Sequence, residues 1–155
     1  MALPPVTKSV AVSCGPFEAW THFTAGLAGW WPLDKQSVFG AEAESCVFEA
    51  RAGGRIFERS VAGGEALWGA VLLVEPGRRV AFAWHPGRPP HTAQEVRVHF
   101  VASEGGTRVE LEHVGWESLG ERAEETRKAY ETGWDITLQA FAACVHKKHR
   151  PHHLP

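Results

Sequence analysis

His113 is the side chain in this sequence best suited to acid–base chemistry. It shares parity with Val109 and Leu111 in an alternating run, so it points to the apolar side of a strand. An imidazole there can orient a ligand oxygen or exchange a proton, because its unperturbed pKa lies near neutrality. A hydrogen-bonded structural histidine would occupy the same place. Glu58 also faces inward by the alternation Ile56, Glu58, Ser60. A Glu58–His113 couple is the best proton-transfer pair available, although nothing in the spacing makes the two neighbours. Arg51 and Arg55 flank the turn Gly53-Gly54 and read as surface ion-pair partners for residues such as Glu49 rather than as an anion site.

Other reactive groups read as inert. His146, His149, His152 and His153 crowd the C-terminus, where a helical spacing of three would suit a metal. Pro151 breaks the helix there, so a solvated tail over 151–155 is expected, with no metal and no cofactor. Cys14, Cys46 and Cys144 lie far apart with no Cys-x-x-Cys pair and read as free thiols of a reducing compartment, hence a cytoplasmic protein. The paired glycines Gly53-Gly54 and Gly63-Gly64 precede no helix, so they are turn residues and not a phosphate cradle. His-Glu-x-x-His and Gly-x-Ser-x-Gly are both absent. A net charge of −2 and isolated basic doublets give no footprint for nucleic acid. Apolar runs such as Ala70 to Val74 fall far short of the roughly 20 residues that cross a bilayer.

These groups have to be positioned by a regular scaffold. After a first strand, Val6 to Ser13, Pro16 opens a short helix carrying Phe17, Trp20 and Phe23, and Leu27 to Pro32 forms a second short helix or turn. A polar loop, Asp34 to Gly40, follows. From Ser45 the chain alternates strand and turn: 45–52, 55–62, 66–74, 79–85, 95–102 and 107–114, mostly joined as antiparallel hairpins. Inward parity holds Val80, Phe82, Trp84; Val96, Val98, Phe100; and Val109, Leu111, His113. The long last element, Ser118 to about Lys148, places Ala123, Arg127, Tyr130, Trp134, Leu138, Phe141 and Val145 on one stripe. Ser118 with Glu121 has capping-box spacing. One apolar sheet face and one apolar helix stripe require each other. The fold class is therefore α+β, with a curled antiparallel sheet of six to seven strands around the helix. Residues 1–150 form a single domain. Seven tryptophans in 155 residues suit a thick core or the wall of an apolar cavity.

In this order, several local motifs resemble the helix-grip fold of the START-like (SRPBCC, Bet v 1-like) superfamily. Within it they resemble the branch related to the activator of Hsp90 ATPase. They are Pro16-Phe17-Glu18-Ala19-Trp20, Trp30-Trp31-Pro32 and Arg51-Ala52-Gly53-Gly54-Arg55, then the stretch Gly69 to Trp84, Gly106-Thr107-Arg108-Val109, and Gly133-Trp134 with Leu138. The resemblance runs from about Val6 to Val145 and implies a cavity between sheet and helix that takes an apolar small molecule. Fold alone does not choose among the family's functions.

The expectation is a ligand-binding protein of bacterial single-domain type, without covalent chemistry, whose pocket is lined by Phe82, Trp84, Phe100, His113, Trp116, Tyr130, Trp134 and Phe141. One alternative is a polyketide cyclase or hydratase using His113 and Glu58. Another is a module acting on an Hsp90-type chaperone. Against the latter stands the additional N-terminal domain of the eukaryotic activator, which this sequence lacks. Aromatic side chains near Trp30 and Trp31, read as exposed, would support a homodimer.

Overall fold

The computed structural model describes residues 3–149, with side chains described to Lys147. The elements are β1 Val6–Val12, α1 Pro16–Phe23, β2 Ala43–Phe48, β3 Arg55–Ser60, β4 Glu65–Glu75, β5 Arg79–Trp84, β6 Gln94–Ser103, β7 Gly106–Val114 and α2 Ala123–His149. They form one antiparallel sheet in the order β1-β7-β6-β5-β4-β3-β2. Neighbours in sequence pair as hairpins from β2 to β7, and β1 closes back on β7 with Val6 opposite His113 and Val10 opposite Val109. Among the described residues no helix is long and apolar enough to cross a membrane.

The sheet bends where its register slips. Irregularities fall between Ala43 and Ser45, Ile56 and Phe57, and Val71 and Leu73, all in the β2–β5 half. An extra residue on one strand sharpens local twist and bends the strand. Gly69 lets β4 and β5 approach closely: a Cβ added there would sit 1.8 Å from the Ala83 carbonyl oxygen. The concave face so formed is filled by α2, which is about 40 Å long at 1.5 Å per residue. Its stripe is buried as the spacing predicts: Trp134, Leu138, Phe141 and Val145 are each at most 2% exposed. Arg127 lies half-buried in that stripe, and its guanidinium donates to the carbonyls of Pro4 and Pro5 at 2.6 and 3.1 Å. It ties the N-terminal segment to the helix.

Three local expectations change. The capping box does not form: Ser118 Oγ donates to the carbonyls of Thr92 and Gly115 instead. Residues Trp116–Arg122 make a 3₁₀ segment interrupted at Gly120 (φ 57°), and the α-helix starts at Ala123. Glycine alone adopts that backbone cheaply. Second, of the short helix or turn expected over Leu27 to Pro32, a single 3₁₀ turn forms, and it covers only Leu27–Gly29. Third, Trp30 is buried, packed on Phe23 and Phe141 at 5.1 and 5.0 Å between ring centroids. It offers no surface to a second copy.

Candidate functional site

Two fully buried polar side chains organise the interior. On β7, His113 is 0% exposed and stacked on Trp116 at 4.0 Å. The Trp134 indole N–H donates to His113 Nδ1 at 2.9 Å, so the ring proton resides on Nε2, which donates to Gln94 Oε1 at 3.1 Å. Burial lowers the His113 pKa from its ordinary 6.5 to about 3. The ring is thus neutral, with both nitrogens engaged by protein. On β3, Glu58 is also 0% exposed and accepts three N–H bonds: Val38 N at 2.6 Å, Phe39 N at 3.0 Å and Trp68 Nε1 at 2.6 Å. The two networks share no hydrogen bond. Cys46, opposite Glu58 in the register, has its thiol pushed up to about 12 by burial and by the Glu58 charge. A thiol so raised is a poor nucleophile.

Glu58 holds in place the segment 32–40. Gln36 N donates to the Pro32 carbonyl at 2.8 Å, and Trp31 Nε1 donates to the Gln36 carbonyl at 2.7 Å. With Val38 and Phe39 fixed on the carboxylate, this segment forms one wall of a cleft of about 450 Å³. The other walls are Trp68 on β4, Trp84 on β5, the turn Pro86–Gly87, and Ala129, Tyr130, Gly133, Trp134 and Thr137 on α2. Its rings surround the space closely: Trp31 lies 4.9 Å from Trp68 and 5.9 Å from Trp84, and Trp134 lies 5.7 Å from Trp84. Gly133 leaves room for the Gln36 carboxamide, whose atoms would lie 3.7–3.8 Å from a Cβ placed there. Trp84 Nε1 donates to Tyr130 Oη at 3.1 Å, and burial raises the Tyr130 pKa. Tyr130 is the one ionisable side chain among the described residues of the lining.

Of the eight side chains expected to line a pocket, Trp84, Tyr130 and Trp134 line this cleft. Phe82, Phe100, His113, Trp116 and Phe141 are buried in the packed interior and are absent from its walls. Phe82 instead borders a void of about 10 Å³ shared with Phe23 and Phe48, at the lower limit for one water. Trp31, Trp68 and the 36–38 segment are the lining that sequence reasoning missed. A larger depression of about 630 Å³ near Leu72 and Ser118 has Glu95, Arg97 and Glu117 among its lining, and two of these pair with each other (Arg97 Nε to Glu95 at 2.6 Å). Arg51 and Arg55 pair with Glu49 at 3.5 and 3.4 Å. No metal-binding group of three is found among the described residues, and the His149 side chain, His152 and His153 lie outside them.

Comparison with known proteins agrees with this geometry at the level of fold. Among solved structures, protein MLL2253 from Mesorhizobium loti superposes with a TM-score of 0.69 at 17% identity, covering 92% of this chain and 97% of that one. The Aha1 dimer from Colwellia psychrerythraea gives 0.66 at 16% identity, covering 92% and 96%. The anthrahydroquino-gamma-pyrone synthase Txn09, solved in complex with a ligand designated SUM, gives 0.63 at 32% identity, covering 92% and 97%. No curated protein matches the sequence. Residues 17–146 match the family model described as activator of Hsp90 ATPase homolog 1-like protein, and the chain belongs to that family.

Proposed function

We propose that this protein binds a flat, largely apolar aromatic molecule in the cleft between α2, β4, β5 and the 32–40 segment, without covalent chemistry. The observation that carries the reading is the lining: Trp31, Trp68, Trp84, Tyr130 and Trp134 around about 450 Å³. That volume lies in the roughly 300–1,000 Å³ of small-molecule sites. Aromatic walls favour planar ligands through offset and edge-to-face contacts. The chemistry of the walls favours holding over transforming, because Tyr130 is the one ionisable side chain among the described residues of the lining and burial raises its pKa.

The test is a titration of the protein with polycyclic aromatic compounds, followed by tryptophan emission. Saturable quenching is expected, weakened about tenfold or more by Trp31→Ala. Lack of saturable quenching by any compound up to its solubility limit would overturn the reading.

A second reading is supported by the 32% identity to Txn09, a synthase by name: ring closure of an aromatic polyketide-like precursor. Here Tyr130 is the cleft's proton donor, while His113 and Glu58 act only by holding Trp134, Trp68 and the 36–39 segment. Catalysis would appear as precursor converted to cyclised product under mass spectrometry, and would be lost in Tyr130→Phe.

A further inference from the structure

We propose that the mouth of this cleft is a receptor for an anionic oxygen on the aromatic ligand, made by the Arg88 guanidinium, the Tyr130 hydroxyl and the Gln36 carboxamide. The inference rests on the binding reading above and adds to it the charge of the ligand.

The polar capacity of the cleft is concentrated and unused. Tyr130 Oη accepts the Trp84 indole proton, and its own proton has no acceptor among the described residues. The Gln36 carboxamide lies over Gly133 and makes no hydrogen bond among them either. Donors left unsatisfied at an aromatic-walled site favour a ligand that brings acceptors. Arg88 immediately follows the lining residues Pro86 and Gly87. Its turn is pinned at both ends: Arg88 N donates to the His85 carbonyl at 2.9 Å, and His85 Nδ1 lies 3.0 Å from the Arg88 carbonyl. Arg88 is half-buried as a residue and has no carboxylate partner among the described residues. Arg78 and Arg122 also have none but are exposed, whereas Arg51, Arg55, Arg59, Arg79, Arg97 and Arg108 are all paired. The positive charge of Arg88 acts on the Tyr130 hydroxyl, opposing the effect of burial there. A cation in the turn that borders the cleft, next to Pro86 and Gly87 of its lining, together with the Tyr130 hydroxyl and Gln36 carboxamide in that lining, suits a phenolate, enolate, carboxylate or sulfonate oxygen, with the ring system inside.

Two probes with one ring skeleton separate charge from ring binding: 1-anilinonaphthalene-8-sulfonate, which is anionic, and N-phenyl-1-naphthylamine, which is neutral. Their dissociation constants are measured by fluorescence on the full chain, on Arg88→Gln and on Tyr130→Phe. The sulfonate is expected to bind roughly tenfold tighter than the neutral probe at low salt. The preference should shrink toward unity as salt rises to about 0.5 M, and fall roughly fivefold or more in Arg88→Gln. Equal affinities, or a preference unchanged in Arg88→Gln, would overturn the anionic receptor while leaving the ring-binding reading intact. Failure of both probes to bind would overturn the two together.

Discussion

Taking the pH from neutral to about 3 is expected to destabilise the fold in large part through one side chain, His113. In the folded protein its pKa lies at about 3 against an ordinary 6.5. Between those values the unfolded chain therefore binds a proton that the folded chain refuses. Stability must then rise with pH across that window. The contribution is fully present above 6.5, declines as pH falls, and is exhausted near 3. At about 1.36 kcal/mol per pH unit, the interval from 6.5 to about 3 amounts to on the order of 5 kcal/mol. His113 is 0% exposed, so solvent screening does not discount it. Set against the roughly 5–15 kcal/mol that holds a typical domain together, this one imidazole is a large part of the acid sensitivity, beside Glu49 and Glu75, whose carboxyls are held low by hydrogen bonds from Arg55 and Arg79. The assay is urea unfolding from pH 4 to 8 for the natural chain and for His113→Gln, whose amide offers an acceptor and a donor but does not titrate. The difference between the two curves should fall below pH 6.5 with a slope approaching about 1.4 kcal/mol per unit. A flat difference curve, or an NMR titration of the His113 ring with a midpoint near 6, would refute the reasoning.

Glu58→Ala strands the N–H groups of Val38, Phe39 and Trp68 and should cost about 3–5 kcal/mol. Hydrogen exchange at amides 38 and 39 should accelerate well beyond that of the sheet, and unchanged protection there would argue against the anchoring role. Gly69→Ala forces a Cβ to 1.8 Å from the Ala83 carbonyl oxygen. It should cost about 3 kcal/mol or more, read as a lowered denaturation midpoint.

Most of the scaffold is legible in the sequence because each strand presents one clean face. In β6 and β7, Val96, Val98, Phe100 and Val109, Leu111, His113 are buried in strict alternation, and their pairings run without a register shift. The same periodicity places Glu58 and His113 indoors. The site is less legible for a local reason. β3 and β4 carry register shifts at Ile56/Phe57 and Val71/Leu73, which break the parity that would otherwise assign Trp68 to the cleft. Trp31 lies in an irregular stretch with no period to read. Phe82, Phe100 and Phe141 have the composition of a cavity wall and the position of a core, and composition does not separate the two. The helix start is misread for a similar reason: Ser118 and Glu121 have the right spacing, but the positive φ at Gly120 breaks the backbone between them.

The pairing of β1 with β7 also bears on how the chain folds in time. Val6 finds its sheet neighbour at His113, across the whole intervening meander. The hairpins from β2 to β7 can form as they leave the ribosome, whereas β1, synthesised first, must wait. Its neighbours on both sides, β7 in the sheet and α2 through Lys8 with Glu131 at 3.1 Å, come from the end of the sequence. Long-range closures of this kind carry an entropic cost before any contact rewards it, and they slow folding toward the millisecond-to-second range. During synthesis the apolar residues of β1 therefore stay without their sheet partner until β7 has emerged, and are open to contact with other chains until then.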